Sequence, residues 1–189
     1  LSEESLDDNI NECARLLKRM AAIDMSIEIE LGCTGGEEDG VGSDDIDNAR
    51  LYTQPEDVLK AYDVLSPIGN FSIAASFGNV HGVYAPGNVK LRPEILKNSQ
   101  DLVQKSRNLT HNPLDLVFHG GSGSDKGQIA ESLTYGVFKM NIDTDTQFAF
   151  AKPIGDFVKT NPVAFFHQID PENGKPYKKE YDPRKWLRV

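Results

Sequence analysis

Leu6, Ile10, Ala14, Leu17 and Met20 recur at helical spacing behind a Ser-x-x-Ser cap region, which predicts an amphipathic helix over 2–23. The period then changes. In MSIEIELG, Ile27, Ile29 and Leu31 alternate with Ser26, Glu28 and Glu30, as in a strand. CTGGEEDGVGSDD follows, so rich in Gly and Asp that it reads as a loop. A second helix is predicted over 55–65, where Val58, Leu59, Ala61, Tyr62 and Leu65 are apolar. FSIAASFG is almost wholly apolar, as a strand covered on both faces would be. The alternation repeats: a helix over 93–105, the strand run LDLVFH, a helix over 126–135, the strand run VFKMNID and a helix over 144–159. Four strand-helix units predict a parallel α/β sheet. From Gly174 onward Pro, Lys, Tyr and Asp dominate, and a loop ending in a short ordered piece is expected. The sequence shows no internal repeat, and residues 1–189 read as a single domain.

Composition narrows the function classes. The chain has 189 residues, 39% of them hydrophobic and 8% aromatic, which suits a soluble globular region. No apolar run approaches the roughly 20 residues needed to span a bilayer, and LSEESLDDNI is acidic rather than a signal peptide, so a cytoplasmic location is expected. A net charge of −9 argues against a nucleic-acid partner. It leaves room for a small phosphorylated ligand, which needs only a local nest of backbone N–H groups and one or two basic side chains. Cys13 and Cys33 form no metal motif and read as small buried residues.

Candidate chemistry gathers where the four predicted strands end, the edge at which parallel α/β proteins build their sites. His81 and His119 each leave a strand beside glycine. Two imidazoles from neighbouring strands suit zinc but are one ligand short of the usual three, and each taken singly also fits a hydrogen-bonded structural histidine. His111 and His167 read as surface residues. The GGSGS run after His119 offers backbone N–H groups ahead of a helix, as a phosphate loop does or as a flexible turn would. In NIDTDT, Asn141 is a neutral hydrogen-bonding group, while Asp143 and Thr144 suit phosphate or sugar hydroxyls; Thr144 or Asp145 equally suits a helix cap. Glu37 and Glu38, among glycines, fit either a mobile proton shuttle or a solubilising pair. Glu30 ends an alternating strand and is expected to face the mouth that holds the histidines.

Taken together, IEIELGCTGGEEDG, LYTQPEDV, SFGNVHGVY, VFHGGSGS, KMNIDTDTQ and YDPRKWLR closely resemble the class II fructose-bisphosphate aldolases of the long subtype. The six motifs keep the family's order and spacing, and only residues 156–175 look unfamiliar. The resemblance implies a TIM (β/α)8 barrel of which this chain holds roughly the last four β/α units. It implies a catalytic zinc on His81, His119 and a third histidine from an upstream Asp-His motif that is absent here. Glu30 matches the carboxylate of a second divalent position, and Glu38 the mobile-loop acid of proton transfer, with Glu37 its neighbour. Gly82, Gly120, Gly121, Ser122, Asn141, Ile142, Asp143 and Thr144 match the positions for dihydroxyacetone phosphate, where a monovalent cation often sits near the Gly82 and Gly120 carbonyls. Arg184 matches a basic residue for the sugar's other phosphate, or is an ordinary surface arginine.

The mechanism so implied is zinc polarisation of the dihydroxyacetone phosphate ketone, stabilising the enediolate left when a C–H proton departs. Glu38 exchanges that proton and Asn141 helps hold the enediolate, which adds to glyceraldehyde 3-phosphate; the reverse direction cleaves fructose 1,6-bisphosphate. Two alternatives stay open: a sibling aldolase acting on tagatose bisphosphate or a related ketose, and an inactive phosphate- or metal-binding fragment. The missing initiating Met and the end at WLRV suggest a partial sequence of a longer enzyme, a homodimer in this subtype. Half a barrel leaves edges unpaired, so the isolated chain is expected to be poorly soluble or molten and to show no aldolase turnover.

Overall fold

The computed structural model describes residues 4–32, 35–38, 41–42, 52–81 and 91–187, with the backbone alone at 35–38, 41–42, 80 and 81. Two compact units result, Leu1–Ile142 and Asp143–Val189.

In the first unit, α1 (Leu6–Met20) starts at Ser5, whose side chain accepts the Asp8 amide at 3.2 Å, satisfying one of the helix's orphan N–H groups. A short 3₁₀ turn, Ala21–Ile23, closes on Asp24 at φ 56°, a left-handed position that turns the chain into β1 (Ile27–Leu31). Short strands β2 (Gly35–Glu38) and β3 (Val41–Gly42) follow, then α2 (Pro55–Leu65), which opens on proline, a residue suited to a helix's first turn. Next come β4 (Phe71–Ala75), β5 (Val80–His81), α3 (Glu94–Arg107), β6 (Leu116–Phe118), α4 (Lys126–Thr134) and β7 (Val137–Met140).

The main sheet has the order β1-β4-β6-β7 and is parallel throughout, as the four strand-helix units predict. Glu28 lies beside Ser72 and Glu30 beside Ala74; Ala74 pairs with Val117, and Val117 with Lys139 after a register shift at Leu116/Val117. Period-2 alternation sends Ile29 and Leu31 to one face of β1 and Glu28 and Glu30 to the other. Ile29, Leu31, Ile73, Leu116 and Phe118 join Leu17, Val58, Leu65, Leu96 and Val103 in one buried cluster. Each such side chain contributes about 1.5–3 kcal/mol when fully buried. Apolar burial on the helix side therefore leaves the other face of β1 for polar chemistry.

Two details fix the strand ends. Gln100 is buried on α3, donates from Nε2 to the carbonyls of Leu114 and Tyr135 at 2.9 Å each, and accepts the Leu114 amide at 3.0 Å. Gly136 sits against it at φ 91°, where an added Cβ would lie 2.4 Å from Gln100 Nε2. The second detail corrects the sequence reading: part of the Gly-rich segment expected as a loop is regular. β2 pairs with β5 in parallel, setting Gly36 beside His81, and with β3 in antiparallel fashion. Glycine lowers strand propensity, yet partners on both sides supply the ladder bonds that a lone segment lacks.

The second unit is helical. It holds α5 (Thr144–Thr160), α6 (Pro162–Phe166), a bridge between Ile169 and Pro176, α7 (Lys178–Tyr181) and α8 (Pro183–Trp186). α6 has no counterpart in the sequence reading, because five residues are too few to display a period. Phe157 and Phe165 meet edge to face at 6.1 Å, and Lys185 lies over the Phe157 ring.

Candidate functional site

His119 emerges from β6, its side chain 18% exposed. Its Nε2 lies 2.7 Å from Oε1 of Glu28, and Lys139 Nζ donates to Oε2 of the same carboxylate at 2.8 Å. Three strands, β1, β6 and β7, thus converge through their side chains. Burial alone would raise the Glu28 pKa. The hydrogen bonds from Lys139 and His119, with their Coulombic attraction, outweigh it and hold the carboxyl below its ordinary value.

Asn79 controls the neighbouring exit. It is 2% exposed, accepts the Phe77 amide on Oδ1 at 2.8 Å and donates from Nδ2 to the His119 carbonyl at 3.0 Å. One buried amide thereby joins the turn after β4, which leads to His81, to the backbone of His119. The side chains of His81, Glu37 and Glu38, and all of Gly82, lie outside the described residues. Glu30 lines an open cleft with Asn9, Leu31, Tyr52, Thr53 and Asp57, and its carbonyl accepts from Asn9 Nδ2 at 2.9 Å. Among the described residues no three of His, Cys, Asp or Glu come together as a metal site. The chemistry of His119 nevertheless fits a zinc ligand: a partly buried imidazole at a strand exit, its far nitrogen tied to a carboxylate.

The glycine run is more committed than the sequence suggests. Gly120 has φ 63° and Gly123 φ 74°, so the loop bends where only glycine is at ease. The Gly121 amide donates to the Asn141 carbonyl at 3.0 Å, and Ser124's amide to the Gly121 carbonyl at 3.3 Å. A Cβ on Gly121 would lie 2.8 Å from Met140 Cγ and Sδ. Gly121 therefore ties the loop to β7, and its N–H is spent inside the fold. The positive end of α4 is capped by Asp125, which accepts from Gly127 and Gln128 at 2.9 and 3.0 Å. Asn141 is joined to β6 by its own amide, which donates to the Phe118 carbonyl at 2.8 Å.

Beyond Ile142, an exposed residue, the chain enters the second unit. Asp143 is the residue before α5 and accepts on Oδ2 from Gln147 Nε2 at 3.0 Å. Thr144 is the first residue of the helix, so the cap position falls on Asp143, one residue before Thr144 and two before Asp145. Arg184, 83% exposed at its side chain, is bound by Asp182 through Nε at 2.9 Å and Nη2 at 2.5 Å. That guanidinium holds the Asp182 carboxyl down to about 2. His111 and His167 are exposed, and Cys13 is buried; Cys33 lies outside the described residues.

Glu28, Lys139 and Asn79 are the site residues that the sequence reading passes over. Signals for them exist: Glu28 shares its strand face with Glu30, Lys139 interrupts an apolar strand, and Asn79 stands two residues before His81. What the sequence withholds is that Glu28 and Lys139, 111 residues apart, reach one another.

The family model described as "Fructose-bisphosphate aldolase class-II" matches residues 1–189. The class 2 fructose-bisphosphate aldolase of Buchnera aphidicola subsp. Acyrthosiphon pisum is 58% identical over 191 residues, spanning all of this chain and 53% of its own length. Its counterpart in Escherichia coli K12 is 57% identical over 192 residues, covering 100% of this chain and 54% of its own. The crystal structure of the Campylobacter jejuni fructose-bisphosphate aldolase superposes with a TM-score of 0.81 at 54% identity, over all of this chain and 53% of that one. The chain thus spans about half the length of the relatives it matches.

Proposed function

The chain belongs to the class II fructose-bisphosphate aldolase family, and we propose that the whole protein reversibly cleaves D-fructose 1,6-bisphosphate to dihydroxyacetone phosphate and D-glyceraldehyde 3-phosphate with a bound zinc. The single observation that carries the reading is the match of the family over every residue of the chain. The four-stranded parallel sheet, as expected of four β/α units of a (β/α)8 barrel, accords with it.

In this reading His81 and His119 would hold the zinc, with Glu30 serving a second divalent position. Bound zinc supplies Lewis-acid polarisation of a ketone carbonyl. Around it, this chain's residues bind and orient. Gly82, Gly120 and Ser122, with Asn141, Ile142, Asp143 and Thr144, hold the dihydroxyacetone phosphate end, with a monovalent cation near the Gly82 and Gly120 carbonyls. Gly121 acts there by fixing the loop rather than by offering its amide. Glu38 moves the proton at the reacting carbon, Asn141 bonds the oxygen on which charge develops, and Arg184 meets the second phosphate after exchanging its bond to Asp182. Anchoring both phosphates converts binding energy into alignment at the carbons that react. No helix among the described residues is long and apolar enough to cross a membrane; cytoplasmic location and a homodimer belong to the same proposal.

The substrate is tested by comparing kcat/KM for fructose 1,6-bisphosphate and tagatose 1,6-bisphosphate in the whole protein. A preference of at least about tenfold for fructose bisphosphate, or about 1.4 kcal/mol in transition-state binding, is expected. The reverse preference would move the protein to the sibling activity, and no cleavage of either would remove the aldolase reading.

A further inference from the structure

Glu28 has no part in that chemistry, yet its carboxylate is in contact with His119. Both its oxygens are engaged, Oε1 by His119 Nε2 at 2.7 Å and Oε2 by Lys139 Nζ at 2.8 Å. An ammonium on Oε2 keeps this group an ionised acceptor, so the proton shared with His119 belongs on the imidazole as Nε2–H. In a neutral imidazole one nitrogen donates and the other carries the lone pair. The bond to Glu28 commits Nε2, and any donation to a metal must come from Nδ1. Glu28 holds the ring at Nε2, and Asn79 Nδ2 fixes the backbone of the same residue through the His119 carbonyl at 3.0 Å. Lys139 fixes Glu28 in turn, from a strand paired directly with β6.

We propose that Glu28 is a positioning residue for the metal site, its carboxylate held by Lys139 and bonded to His119 Nε2–H so that His119 presents Nδ1 to the zinc. The inference rests on the reading of His119 as a zinc ligand. Carboxylate partners of this kind raise the donor strength of the ring and fix its orientation, and their loss typically costs 10–100-fold in metal affinity. Lys139 acts one step further out.

The test uses the whole protein and two readouts that do not depend on turnover. Long-range ¹H–¹⁵N correlation spectra of the metal-free protein, with His119 assigned by His119→Asn, report the tautomer directly. An Nε2–H ring in the wild type is expected, and an Nδ1–H ring overturns the proposal without any need for Glu28 variants. Zinc dissociation constants come from competition with a chromophoric chelator. Glu28→Ala should weaken zinc about 10–100-fold, with Glu28→Gln and Lys139→Met falling between it and wild type. Wild-type affinity in Glu28→Ala, with His119→Asn still losing the metal, overturns the positioning role and leaves the zinc reading standing. Unchanged affinity in His119→Asn removes both.

Discussion

Asp182 and Arg184 illustrate how much a single contact decides at the residue scale. The carboxylate receives the Arg184 amide and its guanidinium, and its pKa falls from 3.8 to about 2. Because the folded value lies below the ordinary one, the pair's contribution to stability is complete above about pH 3.8 and is lost as pH falls through about 2. Carboxyl ¹³C titration should place the Asp182 midpoint near 2 and, in Arg184→Ala, back in the usual range; a normal midpoint in the wild type would show that the ion pair does not persist in solution. On the proposed reading the same pair bears on function, since Arg184 would exchange its bond to Asp182 for one to a phosphate. At this scale the sequence is a partial guide. His119 could be picked out because imidazole beside glycine at a strand end is unusual, whereas Glu28 looked like one more polar residue on an alternating strand. What sets it apart is its contact with both His119 and Lys139, and sequence patterns do not reveal which distant residue a side chain will reach.

Elements were the most legible level. α2 spans 55–65 as its apolar spacing predicts, and the four sheet strands fall within the four predicted runs. Amphipathic period and strand alternation are local properties, so they survive without tertiary knowledge. β2 and β3 were illegible because pairing, not composition, makes them strands. Gln100 shows how elements are fastened: from α3 it bonds both backbone groups of Leu114, just ahead of β6, and the carbonyl of Tyr135, just ahead of β7. Replacing it by leucine would strip all three bonds inside the protein, where each unsatisfied backbone group costs about 1–3 kcal/mol. Gln100→Leu is therefore expected to lose roughly 3 kcal/mol or more in urea unfolding. A loss below about 0.5 kcal/mol would mean that the groups find other partners.

For the whole molecule, the sequence specified the parallel α/β sheet and, through six ordered motifs, the family; the match over residues 1–189 bears that out. The first unit has the architecture from which such a site is built, with apolar residues turned to the helices and Glu28, His119 and Lys139 joined across the sheet. On the proposed function, catalysis by the whole protein depends on a zinc held in part by His119. It is tested by titrating zinc into chelator-stripped protein while following fructose 1,6-bisphosphate cleavage. Activity should vanish on stripping and return in proportion to zinc up to about one equivalent per active site, with His119→Ala neither binding nor recovering. Full cleavage by the stripped protein, or by His119→Ala, would rule out zinc-dependent catalysis at His119.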